Sequence, residues 1–387
     1  MLIKSAHRST RLLTLFCLVV VLLAGCGSPA STAPAQPTPT LTALPIAPST
    51  TPLATLAHLT LTAAPRAEWP TAAWQTSSPE AQGLNSQQLV EALKAIDQRH
   101  LNLHSLLIIR NGYLISENYF GTYTVDKRHQ LYSVTKSFVA TLIGIASDKG
   151  TLTGTDQHIV DFFPKYKFDH LNEQKRAMTL DDTLTMRTGL DWAEGDPAYR
   201  DLFLSSDWVK FMLDKPMVTA PGTQFNYCSG CSHLLSAIVQ QTTKMDPHDF
   251  ADQVLFKPLG ISDVKWDTDT SGTPIGGWGL WLTPRDMAKL GYLYLRHGEW
   301  DGQQIVSARW VENATRTHTA TDSDLGYGYQ WWTSPSLAAF MALGRYGQMI
   351  CVVPELDLII VTTAEMDNHD PIFELIQQYI VPAVQDR

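Results

Sequence analysis

The hydrophobic positions of this chain change their period along its length. In residues 86–97 apolar side chains recur at three- and four-residue intervals, which predicts an amphipathic helix. Residues 105–110 predict a buried strand, and residues 113–120, after Asn111-Gly112, predict the returning strand. That dipeptide is typical of a two-residue hairpin turn. A helix followed by a β-hairpin is therefore predicted to open the folded part.

A second helical pattern carries the first candidate chemistry. Apolar residues at 138–146 have the spacing of a helix packed into a core, and Gly150 is a stop signal. Ser133 and Lys136 would project from one face at its start. Unpaired N–H groups at a helix start favour negative charge, and a buried lysine can lose its proton. The Ser-x-x-Lys pattern therefore indicates acyl transfer by an activated serine.

Four residues are a weak signal, because the chain contains a second copy, Ser262-x-x-Lys265. This copy follows Pro-Leu-Gly at 258–260 and no apolar helix comes after it, so we interpret it as a surface turn. For Ser133 taken alone, a helix N-terminus with a lysine that reaches solvent is the alternative interpretation.

Residues 150–275 have mainly helical and loop-like patterns. Residues 178–192 predict one helix capped by Gly189, and residues 232–242 predict another. A Thr-Pro pair at 283–284 has the chemistry of a helix start.

The C-terminal part returns to strands. Apolar runs at 348–353 and 358–363 predict buried strands, and residues 372–381 predict a last helix. The order of elements indicates an α/β unit interrupted by helices. The predicted boundaries are a folded domain at 68–387, its α/β part at about 68–150 and 276–387, and a helical insertion at about 151–275.

The N-terminus predicts export. Three basic residues precede an apolar run at 12–23, which is too short for a comfortable membrane span. Leu-Ala-Gly-Cys at 23–26 resembles the lipobox of bacterial lipoproteins, in which cleavage precedes the cysteine and its thiol is acylated. We therefore expect a signal peptide at 1–25 and an extracytoplasmic protein held to the cell membrane by lipid on Cys26. An uncleaved N-terminal anchor is the alternative.

Composition adds two expectations. Residues 26–67 are rich in Pro, Thr, Ala and Ser, which predicts an extended tether between anchor and domain. The 387 residues are 44 % hydrophobic, ample for a large core, and the net charge of -9 gives no reason to expect a nucleic-acid partner.

Five segments, spread between about residues 74 and 381, together resemble the serine β-lactamase-like superfamily. The resemblance is to the branch of class C β-lactamases, D-alanyl-D-alanine carboxypeptidases, family VIII esterases and 6-aminohexanoate-dimer hydrolases. Besides Ser133-x-x-Lys136, the segments are Leu-Thr-Met-Arg-Thr-Gly-Leu at 184–190, Pro-Gly-Thr-x-Phe-x-Tyr at 221–227, Gly-Leu-Trp-Leu-Thr-Pro-Arg-Asp-Met-Ala-Lys at 279–289, and Gly-Arg-Tyr-Gly-Gln at 344–348. The resemblance implies an α/β (α+β) fold of the β-lactamase/transpeptidase type, with an antiparallel sheet flanked by helices and an inserted all-α domain.

The resemblance also implies a role for each matching residue. Ser133 would be the nucleophile, and Lys136 would take its proton or hold the network together. Tyr227 would be a second base and a proton relay to the leaving group. The backbone N–H groups of Ser133 and Gln348 would form the oxyanion hole. Whether Lys136 or Tyr227 is the acylation base stays open, because the two would titrate as a coupled pair.

Two motifs depart from the family pattern. Ser229 stands where the family usually has the asparagine of Tyr-x-Asn, and it loses the reach and second donor of an amide. Arg345-Tyr346-Gly347 stands where Lys-Thr-Gly or His-x-Gly is usual, and Arg345 keeps a cation that could pair with a substrate carboxylate. Ser229, Arg345 and Gly347 are therefore candidate substrate-binding residues. Both departures weaken a β-lactamase or carboxypeptidase assignment more than they weaken hydrolysis in general.

Cysteines and histidines complete the candidates. Cys228 and Cys231 form a C-x-x-C beside the proposed site, which fits a disulfide or two small buried thiols. The histidines show no H-E-x-x-H spacing, so we expect neither a metal nor another cofactor. His100 and His104 flank a strand and are expected at the surface.

The resulting prediction is an exported, lipid-anchored serine hydrolase that cleaves an ester or amide of a small molecule or peptide through a Ser133 acyl-enzyme. The first alternative is a β-lactamase or D-alanyl-D-alanine carboxypeptidase acting on cell-wall-type substrates. The second is a catalytically silent module that binds peptidoglycan or peptides. Retention of Ser133, Lys136 and Tyr227 together argues against the silent module.

Overall fold

The computed structural model describes residues 67–385. The predicted signal peptide, the lipidation site Cys26 and all but the last residue of the predicted tether lie outside these residues. Within 67–385, no helix is long and apolar enough to cross a membrane.

The regular elements of the described residues follow in chain order. The α-helices are α1 (Ser86–Gln98), α2 (Thr135–Asp148), α3 (Glu173–Ala177), α4 (Leu180–Leu184), α5 (Ala198–Leu204), α6 (Trp208–Asp214), α7 (Ser229–Thr243), α8 (Pro247–Ala251), α9 (Pro284–Leu295), α10 (Ala308–Thr315) and α11 (Asp370–Leu375). The β-strands are β1 (Leu103–Arg110), β2 (Tyr113–Tyr119), β3 (His129–Gln130), β4 (Lys265–Trp266), β5 (Leu280–Leu282), β6 (Glu299–Trp300), β7 (Gln303–Gln304), β8 (Thr319–Ala320), β9 (Gly326–Tyr327), β10 (Trp332–Ser334), β11 (Ala339–Gly344), β12 (Gln348–Val353) and β13 (Leu358–Ala364).

The largest sheet of residues 67–385 has eight antiparallel strands in the order β2-β1-β13-β12-β11-β10-β9-β8. The predicted hairpin turn is confirmed, because Asn111 and Gly112 join β1 to β2 with φ values of 52° and 82°. Strand β13 pairs with both β1 and β12, so the early and late parts of the chain meet in one sheet. The predicted fold class, an antiparallel sheet flanked by helices, is confirmed.

The central strands are apolar on both faces because helices cover both sides of the sheet. On β13, Ile359 and Val361 join the core that contains α2 and α9, while Leu358 and Ile360 join the core that contains α1 and α11. Side chains alternate between the two faces of a strand. A strand buried on both faces therefore reads as a continuous apolar run, which is why residues 358–363 predicted a strand.

Helix α2 is the central helix of the larger core. Its side chains from residue 135 to residue 146 are all buried, so it is enclosed on every side. A Cβ added at Gly144 would lie 2.5 Å from the indole of Trp310, which shows how tightly α10 packs there. A single 3₁₀ turn, Tyr132–Val134, precedes α2 and carries Ser133.

The prediction of one helix over residues 178–192 is wrong, since the structure has only the short α4 there. Thr179 begins α4 through a capping box with Asp182. The chain leaves the helix at Met186, which has φ 59°, and the side-chain amide of Gln330 donates to the carbonyls of Thr183 and Leu184 at 3.2 and 2.8 Å. A residue far along the chain thus satisfies acceptors that a longer helix would have used. Local sequence carries no sign of that contact.

Two smaller outcomes concern histidine and cysteine. The expectation that His104 lies at the surface is wrong: it is buried in β1 and stacks on Tyr123 with ring centroids 3.7 Å apart. Cys228 and Cys231 form a disulfide, and Cys351 is a buried free thiol. Helices α3 to α8 fall within the predicted insertion, and its treatment as a separate domain stays a prediction.

Candidate active site

Ser133 lies where strand β3 turns into helix α2. Leu131 donates its N–H to the carbonyl of Leu280 at 2.8 Å, which ties the chain to the three-stranded sheet β3-β5-β4. The next residue, Tyr132, has φ 47°, a left-handed conformation that is unfavourable for a residue with a Cβ. Tyr132 is the first residue of the 3₁₀ turn, and Ser133, the next residue, lines the wall of a cavity of about 960 Å³.

Lys136 is enclosed behind Ser133, with 1 % of its surface exposed. Its Nζ lies 2.9 Å from Ser133 Oγ, 2.9 Å from Ser229 Oγ and 2.7 Å from the carbonyl oxygen of Gly277. Burial lowers the pKa of Lys136 to about 8, and the negative charge of Glu194 opposes part of that shift. A neutral amine, which can accept a proton from serine, is therefore accessible near physiological pH.

Tyr227 lies beside Lys136, just before α7. Lys136 Nζ is 4.8 Å from the centroid of its ring, and the ring stacks on Trp332 at 5.6 Å. Burial raises the pKa of Tyr227 well above its usual range, and the hydroxyl of Ser133 acts in the opposite direction. The phenol therefore keeps its proton and can donate it.

Gln348 begins β12, next to the turn that precedes Ser133. It pairs with Gly344 across the β11–β12 hairpin, and a Cβ on Gly344 would lie 2.2 Å from the carbonyl oxygen of Leu131. Only a glycine allows this approach of the strand end to the nucleophile's turn. The side-chain amide of Gln348 donates to two backbone carbonyls at 3.0 and 2.8 Å. An oxyanion role for this residue would rest on its backbone N–H.

The third motif forms a tight turn between β11 and β12. Arg345 is exposed at the cavity wall, with its guanidinium 4.6 Å from the ring centroid of Tyr346. Tyr346 has φ 68°, and its ring meets that of Tyr132 edge to face at 5.3 Å. Gly347 is buried with φ 93°, so it shapes the backbone. Substrate contacts by Arg345 and Gly347 stay predictions.

Ser229 is fully buried in the first turn of α7, behind Lys136. Its hydroxyl accepts a hydrogen bond from Lys136 and donates one to Glu194. Both bonding directions of the hydroxyl are thus used inside the protein. The predicted contact of Ser229 with substrate stays a prediction.

Glu194 is a site residue that the sequence reasoning missed. It lines the cavity from the loop before α5. Its carboxylate accepts from the indole N–H of Trp192 at 2.7 Å and the backbone N–H of Ser229 at 3.1 Å, and also from the hydroxyls of Ser229 and Tyr199. A single loop glutamate has no periodicity to mark it. Its only sequence signal is its place shortly after the Leu-Thr-Met-x-x-Gly-Leu segment.

An aromatic cluster forms part of the cavity wall. The Phe203 side chain lies against Tyr199 and Trp278, with both pairs of ring centroids 5.9 Å apart. Phe203 is 51 % exposed although it is large and apolar. Such a side chain at the mouth of a cavity can cover an apolar part of a ligand.

A second cavity, of about 1130 Å³, lies near α9 and α10. Its wall includes the ion pair of Arg296 and Asp357, whose two contacts are 2.7 and 2.8 Å. It includes none of the predicted catalytic residues, so the candidate chemistry belongs to the smaller cavity. In the part of the chain from 67 to 385, no group of three or more His, Cys, Asp and Glu side chains is arranged to hold a metal ion.

Comparison with protein families identifies this combination of fold and site. The family described as Beta-lactamase matches residues 87–378, which is most of the chain. The chain belongs to the Beta-lactamase family. The predicted resemblance to the serine β-lactamase-like superfamily is confirmed.

Individual relatives of this Beta-lactamase family chain are distant. It is 25 % identical over 300 residues to the 6-aminohexanoate-dimer hydrolase of Paenarthrobacter ureafaciens, which covers 69 % of this chain and 73 % of that protein. A putative 6-aminohexanoate-dimer hydrolase from Bacillus anthracis superposes with a TM-score of 0.69 at 20 % identity, over 82 % of this chain and 89 % of that one. A family VIII carboxylesterase does so with a TM-score of 0.64 at 14 % identity, over 76 % and 96 %. The two structures share the fold, and the named relatives are hydrolases.

Proposed function

We propose that this protein is an exported serine hydrolase that cleaves an ester or an amide through an acyl-enzyme on Ser133. The observation that carries the proposal is the enclosed amine of Lys136, 2.9 Å from the Ser133 hydroxyl. Because its pKa is lowered to about 8, this amine is a base matched to the pH range of most enzymes. The hydrolase names of the relatives point in the same direction.

Acylation begins when neutral Lys136 takes the hydroxyl proton of Ser133 as its Oγ attacks the substrate carbonyl carbon. The carbonyl π electrons move onto oxygen, and the N–H groups of Ser133 and Gln348 stabilise that oxyanion. When the carbonyl re-forms, the bond to the leaving oxygen or nitrogen breaks, and Tyr227 gives the leaving atom its proton. The proton held by Lys136 then restores the phenol of Tyr227.

Deacylation uses the same groups with water in place of the leaving group. Water attacks the acyl carbonyl and gives a proton to the base, and Ser133 Oγ leaves and is reprotonated. The opposite pKa shifts favour Lys136 as the base and Tyr227 as the acid. This assignment, as part of the proposal, chooses between the two alternatives that the sequence left open.

The charge of the cavity favours a general ester or amide over a β-lactam or a D-alanyl peptide. Its wall carries the guanidinium of Arg345 and the imidazole of His369, whose pKa is lowered by burial. The carboxylates of Glu194, Asp196 and Asp370 also line it. An excess of carboxylates disfavours substrates that carry a carboxylate of their own. The departure of Ser229 from the usual asparagine supports the same choice.

The test compares the full-length protein with Ser133→Ala and with the matched control Ser262→Ala. A fluorophosphonate probe should label the wild type and the control but not Ser133→Ala. Turnover of p-nitrophenyl butyrate should fall by at least about 10³-fold in Ser133→Ala alone. Absence of labelling in folded wild type would contradict the proposal. Rapid hydrolysis of nitrocefin would favour the β-lactamase alternative.

We also propose that lipid on Cys26 anchors the enzyme to the membrane outside the cytoplasm. The lipobox-like segment at 23–26 supports this proposal. In cells fed radioactive palmitate, wild type should carry label in the membrane fraction, and Cys26→Ser should carry none. Cys17→Ser is the control, because it changes a cysteine of the same signal and should leave labelling intact. Label retained by Cys26→Ser would contradict the anchor.

A further inference from the structure

The Ser229 hydroxyl joins Glu194 to Lys136 in one line of hydrogen bonds. Ser229 Oγ lies 2.9 Å from Lys136 Nζ and is also hydrogen-bonded to a carboxylate oxygen of Glu194. An ionised carboxylate only accepts hydrogen bonds, so the hydroxyl must donate to it. Because a hydroxyl has one proton, its oxygen can then only accept from Lys136.

Lys136 also donates a second N–H to the carbonyl oxygen of Gly277, which lies 2.7 Å from its Nζ. A carbonyl oxygen can only accept a hydrogen bond, so the direction of this bond is fixed as well. A neutral amine has two N–H bonds and one lone pair. With both N–H bonds directed at Ser229 and Gly277, the lone pair faces the third neighbour, Ser133 Oγ, at 2.9 Å. That is the direction in which a base must accept the nucleophile's proton.

We propose that Glu194 is a positioning residue that, through Ser229, directs the lone pair of Lys136 toward Ser133. This inference rests on the proposed function, because it takes Lys136 as the base. Without the carboxylate, Ser229 is free to turn its proton toward Lys136. The lone pair would then be drawn to Ser229 and away from the nucleophile.

The surroundings of Glu194 hold its carboxylate in place as an acceptor. Trp192 and the backbone N–H of Ser229 donate to one oxygen at 2.7 and 3.1 Å, and Tyr199 donates to the other. The Ser229 N–H belongs to the first turn of α7, where a carboxylate is favoured. These contacts also anchor the loop, so the test must separate positioning from loop stability.

The charge of Glu194 and its positioning role have opposite effects on the activity of Lys136 as a base, so a pH profile can tell them apart. The charge raises the pKa of Lys136 against the larger lowering by burial. Loss of the charge alone would leave more Lys136 neutral at pH 7 and would increase activity there. Loss of positioning would lower kcat/KM even at high pH, where the amine is already neutral.

The experiment measures kcat/KM of the full-length enzyme for p-nitrophenyl butyrate from about pH 6 to about pH 10. In Glu194→Gln the acidic limb should move to lower pH, while the high-pH plateau falls by roughly 10- to 100-fold. Asp191→Asn is the matched control, since it removes a carboxylate from the same loop at an exposed position that does not line the cavity. Its plateau should stay within about twofold of wild type.

A second variant keeps the inference testable if Glu194→Gln folds poorly. Ser229→Ala removes the intermediate hydroxyl and should lower the plateau by a similar factor, with rates normalised to the folded fraction. The double variant should be no slower than Ser229→Ala, because both changes act on one path. A Glu194→Gln plateau within about twofold of wild type, or fully additive losses, would overturn the inference.

The failure of this inference and the failure of the proposed function give different results. If wild type is labelled by the fluorophosphonate probe at Ser133 and Glu194→Gln keeps its plateau, only the role of Glu194 is wrong. If folded wild type is neither labelled nor active, the proposed function itself is wrong, and the inference falls with it.

Discussion

Two segments of this chain have the pattern Ser-x-x-Lys, and the fold treats them in opposite ways. In Ser133-x-x-Lys136, the lysine is 1 % exposed and reaches the serine hydroxyl at 2.9 Å. In Ser262-x-x-Lys265, the serine is exposed, and the lysine side chain is 52 % exposed and paired with Asp267 at 3.0 Å. The predicted surface position of the second copy is confirmed, but the predicted turn is wrong, because Lys265 begins strand β4.

The difference teaches that enclosure changes the chemistry of a lysine, whereas spacing alone does not. Removal of water around Lys136 penalises its charged form and lowers its pKa to about 8. Lys265 stays in water and pairs at the surface with the carboxylate of Asp267, so no core encloses its amine. A lysine of this pattern can act as a base only where the core around α2 encloses its amine.

The largest expected effect tests this comparison directly. Lys136→Met keeps the packing volume but removes the base, so kcat/KM for p-nitrophenyl butyrate should fall by about 10²- to 10⁴-fold. Lys265→Met is the matched control and should stay within about twofold of wild type, because its side chain faces solvent. Equal losses of kcat/KM in the two variants would contradict the conclusion that enclosure distinguishes Lys136 from Lys265.

The next effect concerns the disulfide beside Ser229, whose hydroxyl Lys136 contacts at 2.9 Å. The Cys228–Cys231 disulfide lies between Tyr227 and the body of α7, next to Ser229. Because the closed loop is short, replacement of both cysteines by serine should lower the free energy of unfolding by about 2 kcal/mol. Equilibrium unfolding in urea measures this difference in free energy. A reductant should lower the free energy of unfolding of wild type to about that of the variant and leave that of the variant unchanged. If the reductant also destabilises the variant, the loss in wild type does not come from this disulfide.

The pH dependence of activity sharpens the comparison further. Below a pH of about 8, Lys136 is mainly protonated and cannot accept the Ser133 proton. We therefore expect kcat/KM to be lost as the pH falls, and to rise by about tenfold between pH 7 and pH 9. Lys265→Met should show the same profile as wild type. A flat profile over this range would contradict Lys136 as the base.

The smallest expected effect concerns the cavity that only the first segment faces. Phe203 lies at the cavity wall, so Phe203→Ala should raise KM for p-nitrophenyl octanoate by roughly fivefold and leave KM for the acetate unchanged. Val90→Ala is the control, because Val90 is also an exposed apolar residue, on α1, and does not line the cavity. Equal changes for both esters would argue against an apolar subsite at Phe203.

Local patterns predicted the elements well where local chemistry decides them. The Asn111-Gly112 turn is one example, and the start of α9 is another, because Thr283 caps the helix and Pro284 is its first residue. The prediction failed for residues 178–192, where the chain leaves α4 at Met186 and Gln330, from a distant part of the chain, satisfies the last carbonyls of the helix. It failed in the same way for His104, which the sheet and Tyr123 enclose.

The candidate site was predicted in part. The structure brings Ser133, Lys136 and Tyr227 together and places Gln348 at the strand end beside them, while their catalytic roles stay proposals. Glu194 was missed because its importance lies in a hydrogen bond to Ser229, 35 positions along the chain. A contact of that kind has no local sequence signature.

By itself, the sequence determined the family, the order of most elements and the serine, lysine and tyrosine candidates, because turn chemistry, apolar periodicity and short motifs are local properties. The tertiary structure decided which of two Ser-x-x-Lys lysines is enclosed, that Tyr227 keeps its proton, and that Glu194 reaches Ser229. Burial and the direction of hydrogen bonds depend on residues far apart in the chain, so only the folded protein contains them.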